Sequence, residues 1–179
     1  DGQGKTVKEV WGGFVRVVTN MRLLTLIFIV TGCWIIQHQL YAAMPKYVLR
    51  TVGEQASPEW IANVNPAVVM ALVMFITHLM RNVKAVSSMA VGMFLMPVSA
   101  LLMASSNLLE GFTGQSVSIF GLFNAHPITV MMIFGIMVQG LAECFISPRY
   151  LEYFSLQAPK GEEGLYLGFS HLHSFLSSI

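Results

Sequence analysis

PITVMMIFGIMVQGLAECFISPRYLEYF (Pro127–Phe154) holds the residue on which the reading of this chain turns. Between Gly111 and Pro148, Glu143 is the one charge. A carboxylate placed that deep in apolar sequence is costly, on the order of 2.5–3.5 kcal/mol for an ionised side chain at the centre of a bilayer helix, and it normally faces a cavity or a partner. It therefore marks a functional position, and the first expectation is proton or substrate coupling in a membrane carrier.

The surroundings of that stretch decide the fold. Of 179 residues, 55% are hydrophobic and 11% charged, against about 25% charged in a soluble domain. No Asp, Glu, Lys or Arg occurs in Leu23–Pro45, Trp60–Met80, Ala85–Leu109, Gly111–Ala142 or Gly164–Ile179. Crossing the hydrocarbon layer takes roughly 20 apolar residues, so four windows suffice and the last is short. The expectation is an all-α integral membrane protein with five transmembrane helices, at Leu23–Pro45, Asn65–Met80, Ala85–Ser105, Pro127–Phe154 and Gly164–Ile179. Pro66 and Pro127 suit a first helical turn, with Asn65 a fair cap before Pro66. Pro97 and Pro148 fall inside helices and should kink them.

Lys5, Lys8, Arg16, Arg22, Arg81, Lys84, Arg149 and Lys160 fall on one side of these spans, and Lys46 and Arg50 on the other. Eight basic residues against two place the N-terminal segment in the cytoplasm. Residues 1–22 read as a cytoplasmic linker, and Trp11, Phe14, Val15 and Val18 give it the spacing of an interfacial helix. Residues 23–179 read as the transmembrane part of a fragment of a longer protein. In the 106–126 connection, Phe112, Ile119, Phe120 and Phe123 suit a segment lying in the opposite interface.

Several side chains carry possible chemistry. A carboxyl that takes up a proton changes the local charge by a full unit, which is what a proton-coupled carrier needs; the competing role for Glu143 is a structural hydrogen bond to a neighbouring helix. Gln139 lies one turn before Glu143 and Gly140 three residues before it, on or beside the same face. Trp34, Gln37, His38 and Tyr41 follow i, i+3, i+4, i+7 spacing and form one stripe, which should turn away from lipid. They can line a substrate pathway, or serve as interhelical glue with an aromatic belt. His171 and His173 sit two residues apart, about 200° around a helix axis, which argues against a chelate. Gly2–Thr6 reads GQGKT but lacks the first glycine of a phosphate loop and a preceding strand. Cys33 and Cys144 read as small buried hydrophobes. There is no basic cluster for nucleic acid and no nucleophile–base pair for an enzyme.

GLAECFISPRYLEYFSLQAPKGEEGLYLGFSHL (Gly140–Leu172) resembles the tenth and eleventh helices of proton-dependent oligopeptide transporters, a family of the major facilitator superfamily. Glu143, Ser147, Pro148, Ala158, Pro159, Gly164 and Gly168 match its pattern in order, although Leu141-Ala142 separate Gly140 from Glu143 where many members have glycine and glutamate adjacent. Asn65-Pro66 resembles the start of the eighth helix, and Gln37 falls where the seventh carries a substrate-facing glutamine. The resemblance implies helices seven to eleven, with residues 23–179 an incomplete C-terminal transmembrane half-bundle, of a plasma (inner) membrane, proton-coupled symporter of di- or tripeptides working by alternating access, with no cofactor beyond the proton. Its partners would be the substrate, the bilayer and the other half-bundle. Glu143 would then bind the peptide amino terminus or gate, with Gln37, Tyr41, Trp34, His38 and Gln139 around the pocket and Pro148 and Pro97 as kinks. Transport of another solute, and a non-transporting membrane scaffold or sensor, are the alternatives.

Overall fold

The computed structural model describes residues 6–53, 56–114, 116–119 and 123–178. In chain order these form α1 (Val7–Thr19), α2 (Met21–Thr51), α3 (Pro58–Ala62), α4 (Val64–Leu79), α5 (Ala85–Ala104) and α6 (Ser106–Thr113). Then come β1 (Val117–Ile119), β2 (Phe123–Ala125), α7 (Pro127–Gln157), α8 (Glu163–Ser170) and α9 (Leu172–Ser177). Among the described residues four helical stretches are long and apolar enough to cross a membrane: Met21–Thr51, Pro58–Leu79, Ala85–Thr113 and Pro127–Gln157. At about 1.5 Å per residue, a 31-residue helix such as α7 spans about 46 Å, more than the ~30 Å hydrocarbon layer.

Local chemistry sets the boundaries. The Thr6 amide donates to Glu9 Oε2 at 2.9 Å and so opens α1, satisfying one of the donors a helix start leaves free. Asn20 alone separates α1 from α2. Its amide donates to the Val17 carbonyl at 3.1 Å, while its Oδ1 accepts from the amides of Arg22 and Leu23 at 3.2 and 3.4 Å. Pro66 and Pro127 lie in first turns, but Asn65 is not a cap: Asn63 holds that position and Asn65 is inside α4. The first long helix also continues past Pro45 to Thr51. Pro45 removes only the bond its own amide would have given the Tyr41 carbonyl, and the helix ends where Gly53 takes a positive φ of 98°, a common stop.

The fifth expected span departs further. It is two short helices with a turn at His171, not one rod. At the break the Ser174 amide goes to the His171 carbonyl at 3.0 Å, which frees the carbonyl of Ser170. Tyr150 Oη donates to that carbonyl at 2.9 Å, and His173 Nδ1 lies 2.5 Å from it. The 106–126 connection is also more structured than expected. It contains α6 and an antiparallel hairpin in which Val117 pairs with Ala125, Ser118 with Asn124 and Ile119 with Phe123. Phe112 is 89% exposed on α6, whereas Phe120 and the side chains of Ile119 and Phe123 lie outside what the structure describes.

Packing falls into two apolar clusters at opposite ends of the bundle and a third on one flank. At the α1 end, Val17, Leu23, Ile27, Val30, Met89, Met96, Ala142, Ile146, Tyr150, Phe154 and Tyr166 pack together. At the hairpin end, Met44, Val48, Ile61, Met103, Ile128, Met132 and Ile136 do so. Ile76, Cys144 and Phe145 join α4 to α7. The most extensive contact is between α5 and α7, with α4 lying along α7 as well, whereas α2 leans mainly on α9. Two glycines make the α5–α7 contact close. A Cβ on Gly92 would stand 2.5 Å from Ile146 Cγ1 and 2.7 Å from the Ala142 carbonyl oxygen. One on Gly135 would stand 2.3 Å from Met103 Cγ. Small residues at such crossings let helix backbones approach in a membrane, where packing drives association.

Gly92→Ala should therefore force α5 from α7 and destabilise the protein by about 1–3 kcal/mol, the usual effect of overpacking. Gly32→Ala, at a position with nothing within 4 Å, should be neutral or slightly stabilising. Thermal unfolding in detergent, compared between the two variants, checks this.

Candidate functional site

Between the two end clusters lies a layer of polar side chains. On α2 the apolar residues of the α1-end cluster run to Trp34 and those of the hairpin-end cluster resume at Leu40; Gln37 stands between and is buried. Ser99 holds the same position on α5, between Met96 and Met103, as does Gln139 on α7, between Ile136 and Ala142. Asn65 opens α4 at this level. Burying amides and hydroxyls is tolerable only when they are paired.

Glu143 is the centre of this layer. Its Oε2 accepts from Asn65 Nδ2 at 3.1 Å and from Gln37 Nε2 at 3.4 Å, so α2, α4 and α7 converge on one oxygen. No lysine or arginine pairs with it among the described residues. Tyr41 lies beside both Glu143 and Asn65. Gly140 makes room for this arrangement: a Cβ there would fall 2.5 Å from Asn65 Oδ1 and 3.2 Å from the Asn65 carbonyl oxygen. One layer neighbour is satisfied separately, as Ser99 Oγ donates to Gln139 Oε1 at 3.1 Å.

Three polar atoms near Glu143 are buried without a hydrogen-bond partner: Gln37 Oε1, Tyr41 Oη and Asn65 Oδ1. Each is able to accept a hydrogen bond. A carboxylate surrounded by further acceptors suits a ligand group rich in N–H donors and positively charged. Such groups are costly to leave unpaired in a structural core, and in a functional site they are what an incoming ligand satisfies.

The four-residue stripe on α2 divides. Gln37 and Tyr41 face Glu143. Trp34 and His38 turn instead toward α9: the Trp34 and His173 ring centroids are 5.5 Å apart, and His38 Nδ1 lies 3.2 Å from the Ser177 carbonyl oxygen. Tyr150 meets His173 edge-on at 5.0 Å. The Trp34, Tyr150 and His173 rings, with Ser147, His171 and Ser174, wall a cavity of about 220 Å³. His171 and His173 are not on opposite sides, because the turn at His171 brings their rings to 6.5 Å and 24° from parallel. Among the described residues no three His, Cys, Asp or Glu side chains gather as a metal site would require. Pro97 and Pro148 lie inside α5 and α7, outside the Glu143 layer. Arg149 belongs to α7 and not to a loop; it is buried and bonded to Glu152. Gly2–Lys5 lie outside the described residues, and Thr6 caps α1.

Sequence reasoning missed Asn65 and Ser99 as members of the layer. Each is a polar residue inside a charge-free apolar window, the same signal that singled out Glu143, but a cap reading absorbed Asn65.

The sequence profile of the POT family matches residues 4–179. The chain belongs to the POT family. This is a family of proton-dependent oligopeptide transporters, and the four long apolar helices make this member a multi-pass membrane protein. No curated protein and no solved structure gave a significant match.

Ser99→Ala leaves Gln139 Oε1 without its donor inside the bundle. Interhelical hydrogen bonds in membranes are worth about 0.6 kcal/mol on average and up to about 1.7 kcal/mol. Unfolding in detergent or a lipid mimic should show a loss in that range, with Ser99→Thr, which keeps the hydroxyl, retaining part of the bond energy.

Proposed function

We propose that this chain is part of a proton-coupled symporter of di- or tripeptides that works by alternating access, and that Glu143 alternates between a proton and the amino terminus of the peptide. One observation carries the reading: Glu143 is held between helices by two neutral amides, with no cation among the described residues to neutralise it. A carboxylate locked to arginine would have its charge cancelled permanently. One held by Asn65 and Gln37 keeps a charge that a proton or an ammonium group can cancel in turn. The unpartnered acceptors of Gln37, Tyr41 and Asn65 supply further bonds for an ammonium, which has three N–H donors to place.

On this reading Gln37 and Tyr41 on α2, Asn65 on α4 and Glu143 on α7 bind the peptide's amino-terminal end. Gln139 supports them from within the same layer, and Trp34 and His38 from the α9 side. Pro97 and Pro148 give α5 and α7 points at which to bend. The distribution of basic residues supports a cytoplasmic α1 end, and the proposed carrier would sit in the plasma membrane. The other half-bundle of the same protein would close the peptide site from the opposite side.

Uptake of a labelled dipeptide into proteoliposomes of the full-length protein, with an inward proton gradient, tests this. The wild type should concentrate the peptide. Glu143→Gln should reduce gradient-driven uptake more than tenfold while folding normally. Asn65→Ala should raise KM about five- to tenfold, the equivalent of roughly 1–1.4 kcal/mol of binding. Gradient-driven uptake unchanged by Glu143→Gln would remove the coupling role.

A further inference from the structure

We propose that α1 is an in-plane membrane anchor whose apolar stripe is buried in the headgroup–acyl boundary of the leaflet from which α2 starts. Its side chains divide into three arcs when placed at 100° per residue. Val7, Val10, Trp11, Phe14, Val15 and Val18 fill one arc of about 140°, and all six are exposed on the protein, Val7 by 88% and Trp11 by 65%. Gly13 and Val17 occupy the next arc and are buried. Lys8, Glu9, Gly12, Arg16 and Thr19 complete the circle.

The bundle contact is centred on the Gly13–Val17 arc and takes in Phe14 and Arg16 from the arcs on either side. A Cβ on Gly13 would stand 2.6 Å from Leu165 Cδ2, Phe14 meets Phe169 of α8 with ring centroids 5.2 Å apart, and Arg16 pairs with Glu162 just before α8. The bundle contact thus lies beside the apolar arc, and the polar arc lies beyond it. A helix seated this way can present one side to lipid and another to water at the same time.

The occupant of the stripe follows from where α1 is attached. Asn20 is the sole residue between α1 and the membrane-crossing α2, so α1 cannot leave the membrane surface. Its stripe continues the lipid-facing surface of α2, where Met21, Phe28 and Ile29 are exposed by 71, 65 and 51%. An exposed apolar stripe on a helix with basic residues on its polar side, here Lys8 and Arg16, is the composition of a helix that lies in the interface, its apolar face some 5–10 Å deep. Trp11 is the residue type that prefers this depth.

Trp11 reports the outcome directly. The full-length protein with Trp34, Trp60 and every further tryptophan replaced by phenylalanine, reconstituted in phosphatidylcholine–phosphatidylglycerol vesicles, leaves Trp11 as the single tryptophan. Lipids brominated near the headgroup end of the chains should quench it more than twofold better than lipids brominated near the chain ends, and aqueous iodide should quench it weakly. A control carrying Trp11→Phe and Gly12→Trp in the same background moves the fluorophore to the polar arc, where iodide should quench and bromine should not. If the reporter variant fails to fold, the difference between the intact chain and Trp11→Phe gives the same signal. Strong iodide quenching of Trp11 would overturn the proposal. So would protection from both quenchers, which would mean that another protein surface covers the stripe.

Discussion

One carboxylate oxygen joins three helices. Glu143 Oε2 takes hydrogen bonds from Asn65 at the start of α4 and Gln37 in the middle of α2, and the surrounding structure is arranged to permit it. The apolar clusters stop short of this level on α2, α5 and α7 and resume beyond it. Gly140 omits the side chain that would collide with Asn65. A half-buried charge held by neutral donors carries a solvation cost that its partners only partly offset, and in the proposed carrier a ligand or proton would relieve it.

The helices around this layer are unequally joined. α5 and α7 meet closely at Gly92 and Gly135, and α4 lies along α7, which makes these three a continuous block. α2 touches α5 and α7 far less and rests on α9. The Glu143 bonds cross that boundary, since Gln37 is on α2 while Asn65 and Glu143 are on the block. The boundary also has a soft point: Pro45 leaves the Tyr41 carbonyl without its helical amide, one turn from Gln37. Neutralising Glu143 weakens the bond across the boundary without touching the glycine-packed contact, and in the proposed carrier this is how a proton would favour movement of α2 over collapse of the bundle.

Much of this was legible in the sequence because charge is sparse. Five charge-free windows located the helices, and Glu143 stood out as the one charge between the longest of them and Pro148. The failures have local causes. Pro45 suggested an end that α2 does not respect, because it costs one backbone bond and the ladder resumes beyond it, closing with the Val52 amide on the Val48 carbonyl. The break at His171 depends on Tyr150 Oη reaching a carbonyl twenty residues later, and no local pattern announces a contact of that kind. The stripe of Trp34, Gln37, His38 and Tyr41 was correctly spaced for one face, but α2 rests on α9 on one side and reaches Glu143 of α7 on the other. A face that wide serves two neighbours.

The single-residue elbow at Asn20 leaves no slack between the surface helix and the span it precedes. Both its backbone and side-chain hydrogen bonds are spent on the two helices it joins, so a tilt of α2 cannot be absorbed there and, with α1 in the interface as proposed, would swing α1 across the plane of the membrane. The Arg16–Glu162 pair would resist that swing. The α1–α2 unit is therefore a bell crank, with its pivot at the leaflet and its short arm tethered to the loop that follows α7.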